Sequence, residues 1–89
     1  MKSLATPRFW AAYQTLPPEI RKLARKAYEL FKNDPHHSSL RFKKVHRGDT
    51  VYSVRISHGY RAVGLLEGDE ITWIWVGGHA EYDRLLKNI

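Results

Sequence analysis

The chain has 89 residues, carries a formal net charge of +6 and contains no cysteine. A chain of this length forms one domain with a small core, and the lack of cysteine excludes a disulfide framework and a thiolate metal site. No apolar stretch approaches the roughly 20 residues of a membrane-spanning helix, and the first residues lack the apolar core of a signal peptide, so we expect a cytoplasmic protein that makes no membrane contact.

The basic residues are concentrated in the first half of the chain. Residues 1–46 hold ten of the fifteen Lys and Arg residues but three of the nine acidic residues, which gives this half a net charge of +7, whereas residues 47–89 have a net charge of −1. Such an asymmetry predicts a surface that binds a polyanion or an acidic protein. The alternative is a helix with a solvated basic face.

The N-terminal segment predicts a short strand and a first helix. Residues 2–6 favour a short edge strand. Pro7 suits the first turn of a helix and Thr6 is a suitable N-cap. Apolar aromatic residues then recur at helical spacing, which predicts a helix over residues 7–15.

A second, longer helix follows the break at Pro17 and Pro18. Its apolar residues follow the i, i+3, i+4 pattern of an amphipathic helix, and its other face is basic. The pattern ends near Asn33, before Asp34 and Pro35. The apolar stripe is interpreted as core.

The segment after this helix combines a polar loop with a basic strand. Residues 36–39 predict a loop, and its neighbouring histidines diverge, so we expect no metal site there. Residues 40–45 favour a strand with basic residues interleaved among apolar ones, as in strands that contact nucleic acid, and residues 47–49 predict a turn. The candidate RNA-binding residues of this strand are Arg41, Lys43 and Lys44.

Residues 51–61 predict a β-hairpin whose turn is His58-Gly59. Gly59 is expected to supply a positive φ. By alternation, one face of the first strand holds Val51, Ser53, Arg55 and Ser57, and the other holds Tyr52, Val54 and Ile56. Arg55 and Arg61 should therefore lie close together, where a phosphate would relieve their repulsion. The alternative is that both are solvated or paired with carboxylates such as Glu67 or Glu70.

The C-terminal third predicts two more strands and a helix. Residues 61–66 favour a strand, 67–70 a turn, 71–76 an apolar central strand, and 79–86 a short helix after Gly77-Gly78. The whole chain, 1–89, is then one α+β domain: two N-terminal helices packed on a four-stranded, or with residues 2–6 five-stranded, mainly antiparallel meander sheet with a short C-terminal helix.

His79 is the candidate general base. It follows a Gly-Gly break at the end of the most apolar strand, although a histidine hydrogen-bonded to a nearby carbonyl is the more common reason for such a residue. Beside two arginines, an imidazole can take the proton of an RNA 2′-OH while the guanidiniums stabilise the charge on phosphorus. Tyr82, one helical turn on, can stack on the nucleotide or assist proton transfer.

Five segments in this order resemble the RelE/ParE superfamily of toxins from bacterial type II toxin–antitoxin modules, in particular its RelE-like mRNA interferases. The segments are Leu16-Pro-Pro-Glu-Ile-Arg, Ser39-Leu-Arg-Phe-Lys, Tyr52-Ser-Val-Arg-Ile, Gly59-Tyr-Arg-Ala-Val and Gly77-Gly-His-Ala. The resemblance extends over residues 9–86.

The resemblance implies a ribosome-dependent mRNA endonuclease that a cognate antitoxin holds inactive, with the ribosome and mRNA as further partners and no metal or small-molecule cofactor. Arg61 matches the family's arginine at the scissile phosphate, Arg55 a basic position on the preceding strand, and His79 a catalytic histidine of some branches. Arg41, Lys43 and Lys44 match residues that bind ribosomal RNA. Ser53 departs from the RelE branch, which has lysine there.

Two other functions are compatible with the same resemblance. The chain is alternatively a ParE-like toxin that inhibits a topoisomerase without nuclease chemistry, or a catalytically degenerate homologue that retains antitoxin binding. An arginine pair and a histidine on one surface favour the nuclease.

Overall fold

The computed structural model describes residues 1–45 and 50–88, which form an α+β domain of three α-helices and five strands. In chain order the elements are β1 (Lys2–Ala5), α1 (Pro7–Gln14), α2 (Pro18–Asn33), a 3₁₀ turn (Ser38–Leu40), β2 (Lys43–Lys44), β3 (Val51–Ser57), β4 (Tyr60–Glu67), β5 (Glu70–Gly78) and α3 (His79–Lys87). The predicted fold class is confirmed. The turn predicted at residues 47–49 lies outside the described residues.

The sheet is mixed, with the strand order β1-β5-β4-β3-β2. β3, β4 and β5 form an antiparallel meander, and β2 pairs antiparallel with β3. β1 runs parallel to β5 at the other edge, with Lys2 opposite Glu70 and Ala5 opposite Trp73. The strand predicted at the N-terminus is therefore present, and it makes the sheet five-stranded.

Helices cover both faces of the sheet. The apolar residues of α1 and α2 pack against one face, in a core cluster of buried residues with partly buried neighbours such as Phe9, Ile20 and Tyr52. α3 packs against the other face through Tyr82, which lies with Val51 and Val63 in a second cluster. Within the described ranges, no helix is both long enough and apolar enough to cross a membrane.

The predicted starts of the first two helices and the predicted end of the second are confirmed, whereas α1 ends at Gln14, one residue before the predicted Thr15. The Thr6 hydroxyl accepts a hydrogen bond from the backbone N–H of Phe9 at 3.2 Å, so Thr6 is the N-cap of α1 and satisfies a free N–H of the first turn. α2 begins at Pro18, where the missing proline N–H costs no hydrogen bond, and ends at Asn33.

The strand predicted over residues 40–45 is wrong over most of its length. Leu40 ends the 3₁₀ turn, where its side chain is 2% exposed, and Arg41 adopts a left-handed backbone conformation with φ 47°. The burial of Leu40 and the left-handed Arg41 turn the chain before it reaches the sheet edge. Pairing with β3 is formed at Lys43 and Lys44.

The central hairpin forms at the predicted turn with two differences. Gly59 does not use positive φ; the left-handed residues of the described chain are Arg41 and Gly68, and Gly68 (φ 60°) forms the turn between β4 and β5. A bulge between Arg55 and Ser57 places Ser57 opposite Tyr60. Since Tyr60 belongs to the core under α1 and α2, Ser57 lies on that face and not, as predicted, on the face of Arg55.

A second bulge interrupts β5. Val63 lies opposite Trp75 and Gly64 opposite Trp73, so Ile74 is the extra residue. The bulge breaks the alternation of side chains, so that Trp73 packs in the core under α1 and α2, whereas Trp75 packs against the cluster under α3. The two neighbouring tryptophans thus lie on opposite faces of the sheet.

Gly64→Ala tests this packing. A Cβ at residue 64 would lie 2.8 Å from Cε3 of Trp73 and 3.0 Å from Cγ1 of Ile71, both buried side chains. We expect the substitution to lower the free energy of unfolding by about 1–3 kcal/mol, the cost of overpacking a core. Urea denaturation followed by circular dichroism measures the change.

Gly59→Ala is the matched control, because a Cβ at residue 59 meets no atom within 4 Å and the residue has no positive φ. Equal destabilisation by both substitutions would contradict the packing described around Trp73.

Candidate active site

The cross-strand register brings Arg55, Arg61 and Gly77 side by side on β3, β4 and β5. We call these three residues the arginine row. Two positions along the strands, Ser53 lies opposite Val63. Both contact α3 or its cluster: the Ser53 hydroxyl accepts from Tyr82, and Val63 belongs to the cluster under α3. Because alternate residues of a strand share a face, the arginine row lies on the face that α3 covers, at the end where α3 begins.

Arg61 is fixed by the turn that precedes it. Its Nη1 donates to the carbonyl oxygens of Ser57 at 2.7 Å, Tyr60 at 2.9 Å and His58 at 3.2 Å. Within residues 1–45 and 50–88, its Nε and Nη2 donate no hydrogen bond. A guanidinium carries five N–H donors in one plane, so Arg61 is oriented by one nitrogen and keeps donors for an anion.

His79 is attached to the same turn. Its backbone N–H donates to the carbonyl of Gly59 at 2.9 Å, so the four carbonyls of residues 57–60 are shared between Arg61 and His79. The His79 imidazole is 55% exposed, and its Nε2 lies 3.5 Å from Oδ2 of Asp83. As the first residue of α3, His79 lies beside the arginine row with its ring open to solvent.

Arg55 lies directly opposite Arg61 and is half-buried. It also lines an open groove of about 570 Å³ between α2, the 3₁₀ turn and β3, to which Lys26 and Arg41 contribute two more cations. No carboxylate of the described residues forms an ion pair with Arg55 or Arg61. Like charges in this position repel, so the row and the groove form a site of positive potential.

The alternative pairing of the arginines with Glu67 or Glu70 is not formed. β4 begins at Tyr60 and ends at Glu67, which places these carboxylates at the far end of the strand from Arg61, roughly 20 Å away at the rise of a β-strand. Glu70 instead lies 3.7 Å from Nζ of Lys2.

Tyr82 has a packing position. It is 7% exposed, and its hydroxyl donates to the Ser53 hydroxyl at 3.1 Å in the interior between α3 and the sheet. A ring enclosed in this way has no free face for a base. Tyr82 therefore anchors α3 to the sheet, and Ser53 is the hydrogen-bond partner of its buried hydroxyl.

The three candidate RNA-binding residues at the end of the 3₁₀ turn and in β2 do not lie on one surface. All three side chains are exposed. Arg41 shares the groove with Arg55, and Lys43 lies opposite Ser53, on the face of the arginine row. Lys44 lies opposite Tyr52 and therefore points to the other face.

The paired histidines have local contacts. The Nδ1 of His37 accepts from the backbone N–H of Ser39 at 3.2 Å and caps the 3₁₀ turn, and the His36 ring lies 5.8 Å from that of Phe42. Among residues 1–45 and 50–88, no three histidine, aspartate or glutamate side chains converge as they would around a metal ion.

One residue beside the row was not singled out from the sequence. Trp75 reaches this face because of the β5 bulge, and the benzo ring of its indole stands over Gly77. The nearly continuous apolar run of β5 gives no signal of a bulge, so regular alternation predicts Trp75 on the same face of the sheet as Trp73.

The arrangement combines groups that a phosphodiester requires. A guanidinium with free donors can bind the phosphate oxygens, a second cation raises the positive potential, and an exposed imidazole beside a carboxylate can accept a proton. Together these groups are suited to bind an anion and to transfer a proton to or from a group next to it.

Comparison with solved structures shows where this fold recurs. The chain is similar to the toxin of the RelB–RelE antitoxin–toxin complex from Methanococcus jannaschii, at 24% identity and a TM-score of 0.70 over 91% of this chain and 96% of that one. It is also similar to the YoeB/ParE toxin from Agrobacterium tumefaciens (19% identity, TM-score 0.69, 89% and 99% covered) and to YafQ from E. coli strain BL21(DE3) (8% identity, TM-score 0.73, 91% and 96% covered).

No curated protein sequence matches the chain significantly. A family model described as the ParE-like toxin domain matches residues 18–84, which include α2, the arginine row and His79. This match extends over most of the chain and agrees with the RelE/ParE resemblance of the sequence and with the fold of the solved toxins. The chain therefore belongs to the ParE-like toxin domain family.

Proposed function

We propose that this protein is the toxin of a type II toxin–antitoxin module and that it cleaves mRNA on the ribosome. The observation that supports the chemistry is the shared turn: the carbonyls of residues 57–60 bind the Arg61 guanidinium and the His79 N–H together. An anion-binding group and a proton acceptor are thereby held at one point of the sheet.

Cleavage proceeds by transfer within the RNA. The His79 imidazole takes the proton of a 2′-OH, and the resulting oxygen attacks the adjacent phosphorus. The bond from phosphorus to the 5′-oxygen of the next nucleotide breaks, which leaves a 2′,3′-cyclic phosphate and a 5′-oxygen that takes a proton from water. Arg61 and Arg55 bind the non-bridging oxygens and stabilise the charge that develops there.

Asp83 assists as a positioning residue. Its Oδ2 lies 3.5 Å from the Nε2 of His79, one helical turn along α3. At this distance the carboxylate orients the imidazole ring for proton transfer. The arginines remain protonated throughout and serve as electrostatic groups.

Ribosome binding uses the groove that extends from Arg55. Arg41 and Lys26 line this groove together with Arg55, and Lys43 lies on the face of the arginine row. Such cations contact the phosphates of a nucleic acid without reading its sequence. Lys44 lies on the opposite face of the sheet, so its contact is with a different segment of the ribosomal RNA.

A cognate antitoxin is the proposed protein partner. The crystallised RelB–RelE proteins of M. jannaschii form an antitoxin–toxin complex. In this chain an apolar groove of about 500 Å³ lies between α1, α2 and the sheet, and its rim leaves Trp10 51% and Tyr28 40% exposed beside Arg25. An amphipathic segment with acidic residues fits that combination of aromatic and basic side chains.

Trp10→Ala tests this surface. Because an exposed tryptophan in a groove is the type of residue that dominates a protein interface, we expect the Kd for the antitoxin to rise at least about tenfold. The partner is the product of a short adjacent reading frame, purified with the toxin, and calorimetry measures its binding. Gln14→Ala, an exposed change on the same helix, should leave the affinity unchanged; a Trp10→Ala affinity equal to that of Gln14→Ala would contradict the proposed surface.

His79→Ala tests the general base. Removal of such a group lowers the rate of cleavage by about 10²–10⁴. The measurement is single-turnover cleavage of a defined mRNA in translating ribosomes, with the cut sites mapped by primer extension. Because the His79 side chain is exposed, we expect the variant to fold normally, and circular dichroism checks this.

Lys87→Ala serves as the control, because Lys87 is exposed at the opposite end of α3. If His79→Ala cleaved mRNA as fast as the parent and Lys87→Ala, the assignment of the base would be wrong.

Arg55→Ala should separate activity from stability. The substitution removes one of two opposed like charges, so we expect the free energy of unfolding to be unchanged or to rise by up to about 1 kcal/mol. Cleavage should fall by about tenfold or more because a charge-assisted contact to the phosphate is lost. Thermal denaturation and the ribosome assay measure the two effects on the same preparation.

Arg8→Ala is the matched charge control, on an exposed position of α1 that faces away from the row. A parallel loss of stability and activity in Arg55→Ala would mean that Arg55 is structural.

A second candidate is the inhibition of a topoisomerase that the sequence resemblance leaves open, and it is kept because the matching family model is described as a ParE-like toxin domain. A supercoiling assay with purified gyrase distinguishes it from the nuclease. Inhibition without ribosomes, together with intact mRNA on ribosomes, would replace the nuclease proposal; a protein inactive in both assays that still binds its antitoxin would be a degenerate homologue.

A further inference from the structure

Trp75 lies beside the arginine row, on the face of the sheet that α3 covers. The β5 bulge brings its side chain to the face of Arg61, and Arg61 is the cross-strand partner of Gly77. An ideal Cβ at residue 77 would lie 2.5 Å from Cζ2 and 2.9 Å from Cη2 of the Trp75 indole. The benzo ring thus occupies the space of a side chain at residue 77, directly beside Arg61.

The Nε1–H of Trp75 has no protein partner among residues 1–45 and 50–88. The ring carbon next to this nitrogen, Cε2, lies 3.2 Å from the same Cβ position. Trp73 shows the contrast, since its Nε1 donates to the Ser3 hydroxyl at 3.0 Å.

The ring of Trp75 is partly exposed and has no stacking partner. Its inner part packs against the cluster of Val51, Val63 and Tyr82 under α3. No aromatic ring or cation of the described residues stacks on it, whereas Trp10 and Trp73 both contact aromatic rings. An anchored indole with a free N–H and an exposed part is a platform for a flat ligand.

We propose that Trp75 is a further RNA-binding residue, which stacks on the base adjacent to the scissile phosphate while Arg61 binds that phosphate. The ligand class is a single-stranded nucleotide, because a base in a duplex has no free face for an aromatic side chain. The inference rests on the proposed nuclease function and names a residue that orients its substrate.

The orientation matters for the chemistry. Attack by the 2′-oxygen requires it to be in line with the bond that breaks, and two arginines fix the phosphate but not the sugar. A base stacked on Trp75 supplies the third point of attachment, which brings the 2′-OH to His79. Trp75 therefore acts as a positioning residue that contacts substrate, and Gly77 leaves the space for its ring.

Ribosome cleavage assays with Trp75→Leu and Trp75→Phe test the proposal. Leucine keeps the apolar contact with the cluster under α3 but removes the aromatic face, so kcat/KM should fall by roughly five- to a hundredfold, the effect of losing one base–aromatic stack. Phenylalanine keeps an aromatic face and should restore at least half of that loss on a logarithmic scale. Equal kcat/KM for the parent and both variants would overturn the proposal.

Fluorescence gives a second measurement that does not depend on cleavage. In a Trp10→Phe background the remaining tryptophans are the buried Trp73 and the partly exposed Trp75. A short 2′-O-methyl RNA, which cannot be cleaved, should quench the emission at concentrations where anisotropy of the labelled RNA shows saturation. The quenching should disappear in Trp10→Phe with Trp75→Leu.

The outcomes distinguish this inference from the proposed function. If His79→Ala abolishes cleavage while saturating RNA leaves the Trp75 emission unchanged and Trp75→Leu cleaves normally, the nuclease stands and the stacking proposal is wrong. If RNA quenches Trp75 but the parent protein cleaves no mRNA, RNA binding by Trp75 stands and the nuclease proposal fails.

Discussion

The candidate site depends on one hairpin turn whose backbone carbonyls are shared by two distant parts of the chain. Arg61 donates to three of them and the first N–H of α3 to the fourth. Each bond satisfies a polar group, and together they fix the angle between the hairpin and the helix. The positions of the guanidinium and the imidazole therefore follow from backbone structure, and no flexible loop needs to close to bring them together.

The same hairpin carries an unfavourable feature that its hydrogen bonds offset. Arg55 and Arg61 face each other across an antiparallel pair, where like charges cost about 0.2–1 kcal/mol. This cost is significant in an 89-residue domain, because native proteins of this size have a free energy of unfolding of roughly 5–15 kcal/mol. The carbonyls around Arg61 reduce its effective charge, and a bound polyanion would remove the remainder.

Much of the fold could be predicted from local patterns. The helical period of α2, the proline at its start and the threonine cap of α1 are encoded within a few residues, and the period of two along residues 51–55 correctly separates Arg55 from Val54. Features that depend on distant contacts could not. The left-handed Arg41 follows the buried Leu40, and the parallel pairing of β1 depends on β5, whose paired residues lie 68 positions later in the sequence and which no local pattern identifies.

The site was predictable to a similar degree. Two opposed arginines follow from the hairpin register, and His79 follows from the break after β5. The burial of Tyr82 depends on how α3 packs on the sheet, and its partner Ser53 is 29 positions away in the sequence. Spacing along the helix alone therefore predicted Tyr82 to lie with the other candidate residues.

The bulge at Ile74 has a consequence for how such a protein can diversify. In a strand without it, residues 73 and 75 would share a face, because alternate residues of a strand point the same way. The bulge therefore determines that one indole lies beside the arginine row and the other in the core under α1 and α2. Loss of the bulge would move one of the two indoles to the other face without changing the identity of any charged residue of the site.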